Sequence, residues 1–330
     1  MSRIAVLGAG AWGTALAIAL ARRGGHQLCL WSHSSALAGQ LAETGENLPF
    51  LPGFILPSDI HITADLPDAI FEADILLFVT PSQHLRGVIS HIAPLLTRNQ
   101  IILSASKGIE ETSFLRMTQV IASLTDNPTG VLSGPSFAQE VAAGIPTALV
   151  AASFSTQVAQ TIQREFSSPS LRLYTNDDVT GVELGGALKN VIALAAGVAH
   201  GLNLGHNSSA ALITRGIAEI TRLAVACGGR RQTLAGLSGI GDLVLTCTGS
   251  LSRNRAVGIE LGRGRQLPEI IAGLNGKVAE GIQSTAAALG LAARYGVEMP
   301  IAEQMDAILH HNKSPKEAIR ELMSRPGRDE

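Results

Sequence analysis

The chain is 330 residues long, 46% hydrophobic but only 4% aromatic, and its 27 acidic residues nearly balance 25 Lys and Arg for a net charge of −2. This length supports two domains with buried cores, and the charge balance without a long basic run argues against nucleic acid as a partner. The longest unbroken apolar runs, such as 191–199, fall short of the roughly 18–20 residues of a spanning helix, and the first residues lead straight into a strand with no signal peptide visible, so a cytoplasmic protein without membrane insertion is expected.

Residues 4–7 form a short apolar strand, followed at once by Gly8-x-Gly10-x-x-Gly13 and a helix over 11–23. Gly8 allows the tight turn, Gly10 lets a pyrophosphate approach the backbone, and Gly13 lets helix and strand pack closely. The helix start then offers free N–H groups and its dipole to the phosphates. A glycine-rich turn that binds nothing is the alternative for the motif alone. Gly24-Gly25 stops this helix. Further strands are predicted at 28–31, 75–79, 101–104, 131–133, 148–151 and 171–174, with helices between many of them, including 83–92 and 156–166. Pro49, Pro52, Gly53 and Pro57 mark 46–58 as an irregular loop. This alternation implies an α/β fold: an N-terminal Rossmann-type doubly wound, mostly parallel sheet over 1–178.

The pattern then changes. Helices are predicted over 179–202, 209–227, 253–261, 285–295, 301–310 and 315–323, without a convincing strand. An all-α C-terminal domain is expected over 179–330, carrying substrate-binding and catalytic residues, with a frayed tail at 326–330. Cys29, Cys227 and Cys247 are an odd number of cysteines without metal spacing, so reduced thiols and no metal are expected.

Dinucleotide folds usually carry an acid about 20 residues beyond the glycines, on the ribose 2′-OH of NAD. Here the second strand ends in Leu30-Trp31 and continues Ser32-His33-Ser34-Ser35, with no carboxylate. A 2′-phosphate meets no repulsion there, and His33 with the serines offers it hydrogen bonds, a modest lean to NADPH. Alternatively, Ser34 only caps the next helix. Val79-Thr80-Pro81-Ser82 ends a strand where ligands of such sheets bind, although Ser82 also suits an N-cap.

Lys107 follows the strand at 101–104 and faces the same cleft, or is simply a solvated surface lysine. Ser136 and Gln139, after the next strand, fit a capping box. Lys189 and Asn190 stand inside an apolar helix, where burial is costly. Burial and a second nearby cation would bring a lysine toward the range useful for proton transfer; a snorkelling lysine is the alternative. Asp242 and Thr246 follow at 239–248, with Asp242 also readable as a cap. Ser252 opens a helix whose N-terminus suits an anion, and Arg253 can grip a phosphate bidentately. Together they suggest a small phosphorylated substrate.

Gly8-Ala-Gly-Ala-Trp-Gly-Thr14, Ser106-Lys-Gly108, Ser133-Gly-Pro-Ser-Phe-Ala138, Gly185-Gly-Ala-Leu-Lys-Asn-Val191, Gly239-Ile-Gly-Asp-Leu243, Ser252-Arg-Asn-Arg255 and Val278-Ala-Glu-Gly281 occur in that order over nearly the whole chain. In these motifs the chain resembles the NAD(P)-dependent glycerol-3-phosphate dehydrogenase family of the bacterial biosynthetic type. The resemblance implies reversible reduction of dihydroxyacetone phosphate to sn-glycerol 3-phosphate with NAD(P)H, for glycerophospholipid synthesis. It makes Lys189 the proton donor and acceptor. Lys107, Gly134, Ser136, Lys189, Asn190, Asp242, Thr246, Ser252, Arg253 and Asn254 match substrate positions. Gly8, Gly10, Ala11, Trp12, Gly13, His33, Lys107, Ala138, Arg253, Val278 and Glu280 match cofactor positions. The family often has serine where Ala11 stands, and some members carry arginine where this chain has Ser-His-Ser. A homodimer is left open. Two other readings remain: a two-domain dehydrogenase of a β-hydroxy acid or oxo acid, and a dinucleotide sensor without catalysis, which would not need Lys189, Asp242 and Arg253 together.

Overall fold

A computed structural model describes residues 1–274 and 276–326; of the tail expected to fray, 327–330 lie outside the described residues. The strands are β1 (Ser2–Leu7), β2 (His26–Trp31), β3 (Glu46–Asn47), β4 (Leu51–Ile55), β5 (Ile60–Thr63), β6 (Ile75–Phe78), β7 (Ile101–Ser104), β8 (Thr129–Ser133), β9 (Thr147–Ala152) and β10 (Leu171–Asn176). Eight of them form one sheet in the order β10-β9-β8-β7-β6-β1-β2-β5. The run from β5 to β8 is parallel throughout; β9 reverses against β8, and β10 runs parallel to β9. The sheet is buried on both faces. Ile4 and Val6 of β1 enter one apolar core with Ile75 and Leu77 of β6, whereas Ala5 and Leu7 enter another with Leu76 and Phe78. Period-two alternation therefore has no polar face to display, and the central strands read as unbroken apolar runs.

Strand order reverses between β1 and β6, so the C-terminal ends of these two strands form the crevice where ligands of doubly wound sheets bind. Every strand predicted from an apolar run is present. β5 was not anticipated, and 46–55 is not irregular: β3 and β4 pair as a small antiparallel ribbon. The helix expected over 83–92 begins with a 3₁₀ turn, Ser82–His84, before the α-helix Leu85–Ile92, so Ser82 lies inside the turn and the N-cap position falls on Pro81.

The chain divides into two compact units, Met1–Lys107 with Leu115–Glu183, and Gly108–Phe114 with the chain from Leu184 onward. They part inside the helix Val179–Gly201, between Glu183 and Leu184. The physical reason is Glu183, whose buried carboxylate accepts from Arg116 and from the Thr118 backbone N–H (2.8 Å) and hydroxyl (2.7 Å), tying the first helical turn to the sheet unit.

The second unit is helical, with no strand among its described residues. Besides the helices read from periodicity it contains Arg231–Leu234, a π-helical turn Leu237–Gly241, Asp242–Thr248 and Leu267–Ala272. The helix Val179–Gly201 is 23 residues long, with a mean hydropathy of 1.4 over its most apolar window, long and apolar enough to cross a membrane; that window is wholly buried inside the protein. The unbroken apolar runs were shorter because Glu183, Lys189 and Asn190 interrupt them. Gly197 and Gly201 on this helix face Gly258 and Gly262 on the helix Arg253–Gly262; a Cβ at Gly197 would strike the Arg255 carbonyl, and one at Gly258 the Leu194 carbonyl. The (i, i+4) glycine pairs let two backbones pack at a distance larger residues forbid.

Glu219 on the helix Gly205–Ala226 is fully enclosed and accepts the first backbone N–H groups of the helix Pro300–His310, from Ile301 and Ala302, both at 3.0 Å. Burial pushes its carboxyl up to about 7 from 4.5, against the lowering effect of those two bonds. A raised acid pKa makes the folded state bind more protons between pH 4.5 and 7, so stability falls as pH rises through that window. A difference on the order of 3 kcal/mol is expected across it. Urea unfolding at both ends of the window should show wild type losing this amount relative to Glu219→Gln, and parallel profiles would contradict it.

Candidate active site

In the first unit the three fingerprint glycines have different surroundings. Gly8 has φ +131°, and a Cβ there would lie 2.6 Å from the Val79 carbonyl oxygen at the end of β6; a Cβ at Gly13 would strike the Gly8 carbonyl. Both are required by close packing of backbone on backbone. A Cβ at Gly10 meets nothing within 4 Å, so the backbone there is open to a ligand. Trp12 Nε1, at the helix start, is buried without a hydrogen-bond partner among the described residues, as are Thr80 Oγ1, Ser104 Oγ and Ser133 Oγ beyond or at the ends of β6, β7 and β8. An open glycine beside orphaned donors fits a dinucleotide. Asn47, which sequence reasoning passed over, buttresses the loop: it is fully buried and its Nδ2 donates to the Ala9 carbonyl (2.9 Å) and contacts the Thr14 hydroxyl (2.7 Å).

The segment after β2 is more committed than its composition suggested. Ser34 accepts from Leu37 N–H at 3.3 Å and caps the helix Ser35–Thr44, while Ser32 Oγ donates to the Ser34 carbonyl. His33 is exposed, with its ring set edge-on to Trp31 at 6.0 Å between centroids.

Lys107, Gly134 and Ser136 come together on one atom. The Gly134 carbonyl accepts from Lys107 Nζ (3.0 Å) and from Ser136 Oγ (3.1 Å). The capping box expected of Ser136 and Gln139 is therefore absent: Phe137 occupies the N-cap of the short helix Ala138–Ala143, without a side-chain cap bond. The Ser136 hydroxyl turns back to a carbonyl made available by Gly134 at φ +127°.

In the helical unit Lys189 is buried and donates from Nζ to Asp242 Oδ1 and to Thr246 Oγ1 (3.0 Å). Lys189 retains 7% exposure and Asp242 none. Thr246 Oγ1 in turn donates to the Asp242 backbone carbonyl at 2.6 Å, an (i, i+4) bond that aims its lone pair at the lysine. The neighbour expected to tune Lys189 was a second cation. The structure supplies a carboxylate, which stabilises the ammonium, the form able to donate a proton. Asp242 is no mere cap: it opens the helix Asp242–Thr248 but its carboxylate faces the lysine.

Asn190 Oδ1 accepts from Asn254 Nδ2 at 3.0 Å, and Asn254 Oδ1 accepts from Gly281 N–H at 3.0 Å. Three helices thus fix the Asn190 amide, with its nitrogen as the remaining polar end. Ser252 accepts from Arg255 N–H (3.2 Å) and caps the helix Arg253–Gly262, as read from the sequence. Arg253 follows on that N-terminus; desolvation lowers its guanidinium pKa while the charge of Glu280 raises it. Glu280 starts the helix Glu280–Tyr295, two residues after Val278. Cys29 and Cys247 are core residues whose thiols burial pushes up to about 12, which removes them from nucleophilic chemistry. Among the described residues no cluster of His, Cys, Asp or Glu could hold a metal.

A dinucleotide crevice on a Rossmann-type sheet and a buried lysine–carboxylate pair in an all-helical unit define an NAD(P)-dependent oxidoreductase. The chain belongs to the NAD-dependent glycerol-3-phosphate dehydrogenase family: the family's N-terminal part matches residues 3–159 and its C-terminal part residues 178–320. The protein named glycerol-3-phosphate dehydrogenase (NAD(P)+) from Acidobacterium capsulatum is 61% identical over 338 residues, with both chains covered completely. Its counterpart in Koribacter versatilis is 57% identical, over 100% of this chain and 99% of that one. The crystal structure of glycerol-3-phosphate dehydrogenase from Coxiella burnetii superimposes with a TM-score of 0.95 at 41% identity, covering 98% of this chain and 99% of that one. The sensor and oxo-acid readings give way to this assignment.

Proposed function

We propose that the protein reversibly reduces dihydroxyacetone phosphate to sn-glycerol 3-phosphate with NAD(P)H, and that Lys189 is the proton donor and acceptor. The buried Lys189–Asp242 pair carries this reading. The nicotinamide, when bound, supplies the hydride to the ketone carbon and takes it back in reverse. Negative charge then grows on the ketone oxygen, and the Lys189 ammonium neutralises it by proton donation; in the oxidative direction the Lys189 amine accepts the hydroxyl proton. Asp242 holds the lysine charged and aimed, and Thr246 fixes its approach. Asn190, with its carbonyl end occupied by Asn254, is left to donate from Nδ2 to a substrate oxygen.

Lys107, Gly134 and Ser136 serve the substrate from the sheet unit, with Lys107 also touching the cofactor. Ser252, Arg253 and Asn254 hold the phosphate, where a capped helix N-terminus and a guanidinium suit a dianion. Gly8, Gly10, Ala11, Trp12, Gly13, His33, Ala138, Arg253, Val278 and Glu280 hold the dinucleotide. His33, with no carboxylate beside it, favours NADPH. The product feeds glycerophospholipid synthesis; the site of action is the cytoplasm, where reduced thiols persist. Arg253→Ala is expected to raise KM for dihydroxyacetone phosphate roughly ten- to hundredfold, as for loss of a charged hydrogen bond, with a much smaller change in kcat. Steady-state kinetics at saturating cofactor reads this, and an unchanged KM would refute the phosphate assignment.

A further inference from the structure

We propose that Asn47 is a positioning residue for the dinucleotide: it holds the Ala9–Gly10 peptide so that the Gly10 N–H faces the pyrophosphate. The inference rests on the cofactor role proposed above for Gly8, Gly10 and Gly13, and every residue in it lies in the sheet unit. Asn47 is fully buried, and a buried amide is costly unless its polar atoms are paired. Its Oδ1 accepts from the Phe50 N–H at 3.3 Å, which decides which end of the amide turns to the loop. Its Nδ2 carries two hydrogens and has two acceptors, the Ala9 carbonyl at 2.9 Å and the Thr14 hydroxyl at 2.7 Å. The carbonyl and the N–H of a trans peptide point in opposite directions. Drawing the Ala9 carbonyl to Asn47 therefore turns the Gly10 N–H the other way. That N–H has no backbone acceptor among the described residues. A Cβ on Gly10 would meet nothing within 4 Å, so the space beside it is open to a phosphate oxygen.

The loop needs such an anchor because a flip of this peptide is cheap. The peptide turns by rotating ψ of Ala9 against φ of Gly10, and glycine accepts either sign of φ. Gly10 opens the helix Ala11–Arg23 at φ −75° without a side-chain cap bond. Its carbonyl accepts from the Thr14 N–H at 3.0 Å. By gripping the Thr14 hydroxyl as well as Ala9, Asn47 ties the loop to the first helical turn. Asn47 is held in its turn by the small ribbon. It pairs with Leu51, which is fully buried in the same apolar core as Leu16 and Leu20 of that helix. Glu46 Oε1 accepts from the Gly53 N–H at 2.6 Å, and the Gly45 carbonyl from the Leu56 N–H at 2.7 Å. A ribbon rooted in the core beside the helix thus carries the amide that orients the loop.

The test is a fluorescence titration of the full-length protein with NADPH and with NADH. Asn47→Ala should raise the Kd of both by one common factor, roughly ten- to hundredfold, as for loss of a hydrogen bond to a charged group. The factor is common because both cofactors carry the same pyrophosphate. KM for dihydroxyacetone phosphate at saturating NADPH should stay within about twofold of wild type, which a general loss of packing would not spare. Thr14→Val removes only the second acceptor and should raise both Kd values by less, roughly two- to tenfold; Thr14→Ser should restore them. Because Thr14 acts through Asn47, adding Thr14→Val to Asn47→Ala should weaken binding no further. Wild-type Kd values in the Asn47→Ala protein overturn the proposal, and so do a rise for one cofactor alone and losses that multiply in the double variant. If Asn47→Ala does not fold, wild-type Kd values in Thr14→Val overturn it. Gly10→Asp tests the underlying assignment separately, since its side chain enters open space and leaves the fold intact. Wild-type NADPH affinity in that variant fails the glycine-loop assignment instead.

Discussion

Lys189→Ala is expected to lower kcat for dihydroxyacetone phosphate reduction by roughly 10²- to 10⁴-fold, the usual contribution of a positioned general acid. The loss should fall on kcat and kcat/KM alike, since the proton is needed only as charge develops on the ketone oxygen. NADPH should still bind, because the glycine loop and Trp12 that fit the dinucleotide lie in the sheet unit and owe nothing to Lys189. Turnover at 340 nm and quenching of NADPH fluorescence read the two properties separately. A variant that turns over near the wild-type rate removes Lys189 from the chemistry.

Asp242→Ala is expected to destabilise the protein by about 3–5 kcal/mol, because it removes the counter-charge of a buried ammonium. The carboxylate is fully enclosed and Lys189 nearly so, so water cannot take over the lost partner. The accompanying Thr246 bond to Lys189 is neutral and too weak to compensate. Lys189→Ala strands the opposite charge and should be destabilised comparably. The double variant, with neither charge, should be more stable than either single variant while remaining inactive. Urea unfolding of the three proteins separates the two roles of the pair. An Asp242→Ala protein within about 1 kcal/mol of wild type would mean that the pair is solvated in solution and does not hold the lysine.

How much of this was legible beforehand depended on distance along the chain. The glycine loop is local: strand, turn and helix are contiguous, and each glycine has a task that follows from the turn itself. The central strands were legible because burial on both faces leaves an unbroken apolar run. β5 was not, since His61 and Thr63 alternate with Ile60 and Ile62 and leave a run too short and too polar to separate from loop. The Ser136–Gln139 spacing was misleading because a capping box and a serine turned back onto Gly134 share the same local sequence. Lys189, Asp242 and Arg253 stood out as polar residues in apolar or helix-starting contexts. Their partners did not: the carboxylate on Lys189 lies 53 residues away and Asn254 meets Asn190 across 64, so the sign of the charge beside the lysine was missed. The segment 108–114 is the extreme case. Residues 108–114 have neither helical nor strand periodicity, and Arg294 reaches Ser113 across 181 residues.

The most direct measurement of the central claim is NAD(P)H oxidation at 340 nm by the full-length protein, with dihydroxyacetone phosphate set beside dihydroxyacetone and a panel of oxo acids. Rapid turnover of the phosphorylated ketone alone, with the lower KM for NADPH, is the result predicted by Lys189 as proton donor, Arg253 at the phosphate and no carboxylate after β2. Equal or faster turnover of an unphosphorylated ketone or an oxo acid would contradict the account, and a preference for NADH above roughly tenfold, about 1.4 kcal/mol, would contradict its reading of His33.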